Sequence, residues 1–324
     1  MASVLKQPYF HDEQAAFTAL EAIMWPNGQP PHCPHCGVEG KCNRLAVQTS
    51  KPSKKNPEGK PVYGLWKCYA CRQQFTVRKG TVFEESRLEL HLWFQAAFLM
   101  CSSKKGVSSN QLHRTLGVTL KTAWFLAHRL REAMRDGNLA VPFGSGGGMV
   151  EVDETYIGRQ KGKPKKRAFH HKMKVLTLVD RETKQAKSVV VDNIRPRTIA
   201  PILRENMARE ARLMTDEAGH YLHVGREFAD HQVVRHGQEE YVRGEAHTNT
   251  IEGYFSIFKR GMKGIYQHCS EAHLHRYLAE FDFRYNHRIA NGTDDVTRAR
   301  IAMQGAKGKR LTYRGPDATP VQIG

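Results

Sequence analysis

Apolar and polar positions change their rhythm along this 324-residue chain. Residues 11–25 (HDEQAAFTALEAIMW) set Phe17, Leu20 and Met24 at helical spacing, and Pro26 ends the run, which predicts a short helix. A segment rich in Pro, Gly and Cys follows from Asn27 to Phe75; its polar stretch Lys51–Lys60 (KPSKKNPEGK) reads as an exposed hairpin tip. Residues 87–103 read as an apolar helix and 107–135 as two more. Gly144–Gly148 (GSGGG) has the composition of a flexible linker. Past it the period becomes that of strands, over Met149–Ile157, Val175–Asp180 and Ser188–Val191. A helix near Ile199–Arg209, a strand Arg212–Thr215, a short strand around Gln232–Arg235 and long helices from about Asn249 complete the pattern. Successive strands, then strands alternating with helices, predict an α/β fold: a mixed sheet covered by helices. The expected boundaries are 1–82 for the first helix and the cysteine-rich segment, 83–143 for a helical domain, 144–148 for the linker, 149–306 for the α/β domain and 307–324 for a poorly ordered polar tail.

Charge narrows the partner. Lys and Arg number 50 against 32 for Asp and Glu, a formal charge of +18. Such an excess favours a polyanion, because each phosphate neutralised by a cation releases condensed counterions. A membrane is not expected as partner. The longest nearly apolar stretch, Leu90–Cys101, carries His91 and Gln95 and falls well short of the ~20 residues a spanning helix needs. The opening MASVLKQPYFHDEQ lacks the apolar core of a signal peptide, so a cytosolic location is expected.

Four of the seven cysteines form two Cys-x-x-Cys pairs, which in a reducing compartment point to metal rather than disulfides. Cys33, Cys36, Cys68 and Cys71 can place four thiolates around one structural Zn²⁺. The 31 residues between the pairs are more than usual, and the lysine-rich hairpin tip accounts for the excess. Cys42, His32 and His35 are substitute ligands; four unrelated buried cysteines or a redox pair are the plain alternatives.

Gly106–Met134 (GVSSNQLHRTLGVTLKTAWFLAHRLREAM) has the pattern of a helix-turn-helix. Ser108 or Ser109 caps a first helix with Leu112 and Leu116 inward, Gly117-Val118 turns the chain, and Thr119 caps a second helix. That second helix carries Lys121, Thr122, Arg129 and Arg131, the candidate DNA contacts for a major groove. A packing helix pair is the alternative.

The acidic residues suggest phosphoryl chemistry. Asp153 sits mid-strand in MVEVDETYIG, flanked by Glu151 and Glu154; Asp216 ends a short apolar strand in ARLMTDEAG; Glu252 opens a helix in HTNTIEGYFSIFKRGMKG. The intervals hold 62 and 35 residues. Two strand-borne aspartates and a helix-borne glutamate can converge on two Mg²⁺ ions, whose hard oxygen ligands suit in-line phosphoryl displacement. Asp216 could instead begin a turn, and Asn249-x-x-Glu252 also fits a helix-start capping pattern. Glu252, Ser256, Lys259 and Lys263 share one helical face, opposite Ile251, Tyr254, Phe255, Phe258 and Met262.

On VEVDETYIG, MTDEAG and HTNTIEGYFSIFKRGMKGIY, the chain resembles insertion-sequence transposases of the DDE class, in the ISXO-like branch that bears an N-terminal zinc ribbon. The resemblance covers roughly Cys33 to Arg288. It implies an RNase H-like catalytic domain, Mg²⁺ dependence with Mn²⁺ able to substitute, terminal-inverted-repeat and target DNA as substrates, and a homodimer or higher multimer on paired ends. It implies that Asp153 bridges both ions while Asp216 and Glu252 each complete one, with Asn249 as the alternative third residue. Lys259, Arg260 and Lys263 are then expected to hold DNA phosphates, and Lys161–Arg167 (KGKPKKR) is either a solvated loop or a DNA clamp. Two other functions fit the same features: a DNA-binding regulator without catalysis, and a structure-specific nuclease that cuts but never joins.

Overall fold

The computed structural model describes residues 3–54, 56–135, 139, 141–165, 167–234 and 247–312. Contacts divide the chain into two units. The first falls within Met1–Ser102, Ser109–Met134 and Ala299–Gly324, the second within Ser103–Ser108 and Arg135–Arg298.

In the first unit, helix α1 (Glu13–Met24) starts where the Asp12 carboxylate accepts the Ala15 N–H at 2.7 Å, satisfying one of the helix's unpaired amides. It buries Phe17, Leu20 and Met24. Short strands follow: β1 (Cys42–Arg44), β2 (Gln48–Thr49), β3 (Pro61–Val62), β4 (Trp66–Cys68) and β5 (Gln74–Phe75). The order β1-β4-β5 makes one antiparallel sheet, while β2 and β3 pair separately below the lysine-rich tip. Helices α2 (Leu90–Ser102), α3 (Ser109–Leu116) and α4 (Leu120–Met134) complete the run. Both Glu13 carboxylate oxygens close the start of α2, accepting the Leu90 and His91 amides at 2.8 and 3.1 Å. No helix among the described residues is long and apolar enough to cross a membrane. The first residues of the expected tail are held: Lys307 pairs with Thr81, and Gly308 N–H donates to Gly80 O at 2.9 Å.

The second unit is built on a five-stranded mixed sheet. Its strands are β6 (Met149–Ile157), β7 (Met173–Asp180), β8 (Gln185–Val191), β9 (Arg212–Asp216) and β10 (Asp230–Val234), in the order β10-β9-β6-β7-β8. The first three pair antiparallel, with a long loop between β6 and β7 and a short turn between β7 and β8; β9 and β10 join parallel to β6 and to each other. Helix α5 (Pro196–Asn206) supplies the crossover that a parallel neighbour requires, and α6 (Leu222–Gly225) is a single turn. Helices α7 (Asn249–Gly261) and α8 (Glu271–Asn286) follow, with a π-helical turn Met262–Tyr266 between them, and α9 (Asp295–Gln304) contains the boundary between units. Strand β7 is buried almost throughout because both of its faces are covered. Val150, Val152, Leu176 and Leu178 pack with Ile199, Leu203 and Tyr221 on one side. Ile157, Val175 and Val179 pack with Ile251, Phe255, Phe258 and Phe281 on the other. Arg235, expected to end the last strand, lies outside the described residues.

Gly144–Gly148 is a turn rather than a free linker. Gly144 donates its N–H to Asp180 Oδ2 at 2.8 Å, and the Gly147 and Gly148 amides both return to Gly144 O. At φ +73, with Ala211 Cβ only 2.3 Å from where a Cβ would stand, position 144 needs glycine for its geometry.

Candidate functional site

Alternation along β6 decides which side chains can meet. Glu151, Asp153 and Ile157 point to the face covered by α7 and α8; Val150, Val152, Glu154 and Tyr156 point to the α5 face. Strand β9 lies parallel to β6 with Met214 level with Glu151. Two residues further in the same register, Asp153 comes beside Asp216, the last residue of β9. The Asp153 carboxyl is pushed up to about 8, first by burial, then by the negative charges of Glu154, Asp216 and Glu252; a bond from the Glu154 N–H at 2.7 Å opposes the rise. Asp153 thus feels both Asp216 and Glu252 at the sheet end. Asn249, the first residue of α7, is exposed.

A buried residue that the sequence reading passed over fixes this arrangement. Glu151 is 0% exposed, receives Arg181 Nε at 2.6 Å on Oε1, and with Oε2 accepts the Ile251 N–H at 2.8 Å. Arg181 in turn donates to the His247 carbonyl at 2.6 Å. The strand that carries Asp153 is thus tied to the first turn of the helix that carries Glu252. The capping pattern expected at Asn249 is replaced: Thr248 is the N-cap residue, and its hydroxyl donates to Glu252 Oε1 at 3.1 Å. The available signal was spacing, since Glu151 lies two residues before Asp153 and so on the same face of the strand. On the other face Glu154 accepts the hydroxyl of fully buried Tyr221 at 2.7 Å. An oxygen-rich, mutually repelling set of this kind has the donor chemistry that suits a hard divalent cation.

The four paired cysteines converge in the small sheet. Cys33 Sγ lies 3.7 Å from Cys71 Sγ, and Cys36 Sγ 3.8 Å from Cys68 Sγ. Those separations far exceed a disulfide bond. They match the edge of about 3.8 Å expected for a tetrahedron with Zn–S bonds of roughly 2.3 Å. Among the described residues this is the one group of three or more ligand-type side chains whose donor atoms all lie within 4.8 Å. Backbone N–H groups of Cys71 and Ala70 hold the Cys68 thiol down to about 6, against the effect of burial. Cys42 belongs to the surrounding core with Trp66 and Phe75, and burial pushes it up to about 11.

Two family descriptions match the chain, an ISXO2-like transposase domain over residues 146–286 and a transposase zinc-ribbon domain over residues 11–74. Residues 146–286 thus carry an ISXO2-like transposase domain, and residues 11–74 a transposase zinc ribbon. An uncharacterized protein in transposable element ISH50 of Halobacterium salinarum is 26% identical over 291 residues, 85% of this chain and 91% of that one. A solved simian T-cell lymphotropic virus intasome, in complex with PP2A regulatory subunit B56 gamma, covers 72% of this chain and 78% of its own at 12% identity and a TM-score of 0.30. That likeness is too loose to bear on fold or function.

Of the transposase's expected DNA contacts, Lys121 is exposed and Thr122 half-exposed at the start of α4, where Thr119 Oγ1 accepts the Thr122 N–H at 3.1 Å. Gly117, at φ +65, makes the turn between α3 and α4. Arg129 and Arg131 are corrected. They are 6% and 1% exposed, and Arg129 donates to the carbonyls of Leu311 and Glu84 while lying 4.8 Å from the centre of the Phe125 ring. The C-terminal half of α4, Leu126–Met134, is buried on all sides, so their guanidinium groups serve the fold and not a groove. In α7 and the turn after it, Lys259 is half-exposed above Phe255, and Arg260 and Lys263 are exposed.

Two measurements follow from these geometries. Purified transposase is expected to carry about one zinc per chain, and Cys68→Ser to release it and loosen residues 27–80 while the sheet unit keeps its cooperative melt; undiminished zinc in that variant rules the cluster out as a metal site. The raised Asp153 carboxyl keeps its proton in the folded chain at pH values where the unfolded chain has lost it. Protein free of Mg²⁺ should therefore lose stability as pH rises from about 4 to 8, and Asp153→Asn should flatten that slope and raise the melting temperature at neutral pH. An identical slope in the two proteins would contradict the burial described for Asp153.

Proposed function

We propose that this transposase binds the terminal inverted repeats of an insertion sequence, cuts a strand at the end and joins it to target DNA, as a DDE enzyme with an RNase H-like core. The observation that carries this reading is Asp153 beside Asp216 on adjacent parallel strands, with the first turn of the Glu252 helix bonded to the same strand through Glu151. The sheet order, three antiparallel strands followed by two parallel ones, agrees with an RNase H-like core. Asp153, Asp216 and Glu252 are the groups that would hold Mg²⁺. Bound there, it supplies the Lewis acidity that in-line displacement at phosphorus needs.

This chain's own groups do the remaining work. Glu151 and Arg181 keep the carboxylate-bearing strand and helix in register, while half-buried Asp153 and exposed Glu252 stay within reach of solvent and substrate. Lys259, Arg260 and Lys263, within three turns of Glu252, are placed to take DNA phosphates. The α3–α4 pair serves as a helix-turn-helix with Lys121 and Thr122 toward the DNA, and the cysteine ribbon with one Zn²⁺ supports end recognition. Paired ends call for a homodimer or higher multimer, acting in the cytosol.

Mg²⁺-dependent nicking of end DNA tests the third residue. Glu252→Gln is expected to abolish cleavage and leave end binding within about twofold, because a neutral amide is a poorer Mg²⁺ ligand. Asn249→Ala, at an exposed helix start, should keep cleavage. The reverse outcome would move the site to Asn249, and full cleavage by both variants would remove α7 from the site.

A further inference from the structure

The loop between β6 and β7 carries a cavity that the carboxylate site does not use. It measures about 680 Å³ and lies on the α5 face of the sheet, between the loop and the start of α5. Its aromatic part is Tyr156, near the end of β6, stacked on Phe169 with ring centres 4.5 Å apart and planes 16° from parallel. Phe169 is 51% exposed, which is unusual for a phenylalanine in a loop of lysines and histidines. Lys163, Lys174 and Arg195 line the same cavity, and Lys172 Nζ stands 5.1 Å from the centre of the Phe169 ring. Lys174 donates to the Asp192 carbonyl and Lys163 to Gln160, each bond occupying one of an ammonium's three donors. Asp192 also lines the cavity, offering acceptors to an exocyclic amine.

We infer that this cavity receives one unpaired nucleotide of a DNA strand, its base stacked on the Phe169–Tyr156 pair and its phosphate on Lys163, Lys174 and Arg195. The shape of the site favours a nucleotide over a plain duplex backbone. Duplex phosphates need only surface cations, whereas here the cations rim a concavity floored by a stacked aromatic pair. Every base has a π-face, so such a floor accepts any sequence. The field is positive: His171 is lowered by burial and then by Lys172, Arg159, Lys165 and His170. Tyr156, which lines the cavity, also feels the carboxylates. Burial raises the Tyr156 hydroxyl, and the charges of Glu154, Asp153 and Asp216 raise it further, so this ring lies within their electrostatic reach.

The inference rests on the strand-processing reading of the carboxylates, and the experiment separates the two. Binding of a fluorescent twelve-nucleotide oligothymidine and of a twelve-base-pair duplex would be measured by anisotropy on the full zinc-loaded chain. Phe169→Ala should weaken the single strand by roughly 5- to 100-fold and the duplex by no more than about twofold, since stacking a base is worth about 1–3 kcal/mol. Phe169→Trp should restore single-strand binding. Asp153→Asn should leave both affinities unchanged while abolishing nicking. Single-strand affinity that survives Phe169→Ala, or that falls in parallel with duplex affinity, would overturn the nucleotide pocket. Nicking that survives Asp153→Asn would overturn the carboxylate reading and leave the pocket standing.

Discussion

Asp153 stands at a sheet end under the negative charges of Glu154, Asp216 and Glu252, and the strands and helix that carry these groups are bonded to one another there. A carboxyl pushed up to about 8 by burial and by three like charges is a standing cost to the fold. Each structural feature nearby works against that cost or around it. The parallel pairing of β9 with β6 sets the two aspartates side by side, and the antiparallel hairpin to β7 leaves the β6 end open to a loop. Glu151, on the Asp153 face of β6, is held by Arg181 and by the Ile251 amide, and those bonds fix the start of α7. Removing that glutamate would leave a buried guanidinium and an open helix terminus together. A site that stays strained until a cation arrives is consistent with chemistry that must wait for its metal.

The cysteine ribbon solves a different problem of the same kind. Its core consists of little more than Cys33, Cys42, Trp66, Cys68 and Phe75, too few apolar groups to hold five strands of two or three residues. Four thiolates at tetrahedral separation supply the missing cohesion, provided a metal neutralises them. The Cys71 and Ala70 amides that favour the Cys68 thiolate pre-form one corner of that tetrahedron.

Much of this was legible in the sequence, and the failures have physical causes. The strand Met149–Ile157 was read to the residue, because its apolar neighbours alternate cleanly around Asp153. The cysteine pairs were legible because their spacing is set by ligand geometry and not by the rest of the fold. Arg129 and Arg131 misled, since a basic residue on an amphipathic helix looks solvent-facing until one knows what covers it; both are buried, Arg129 against Trp93, Glu84 and Leu311. The glycines at 144–148 misled for the opposite reason: their composition signals freedom, while their backbone angles show a required turn. Glu151 escaped because a carboxylate's role as a helix clamp depends on Ile251, 100 residues away. The stacking of Phe169 on Tyr156 likewise depends on how the loop folds back, which no local pattern records.

Calorimetric titration of the zinc-loaded chain with Mg²⁺ tests the central claim most directly, performed in buffers of differing ionisation enthalpy near pH 7. If Asp153 is held protonated by burial and like charge, Mg²⁺ binding should release a proton, tighten as pH rises toward 8, and disappear in Asp153→Asn. Binding without proton release, or binding that persists undiminished in Asp153→Asn, would contradict the account.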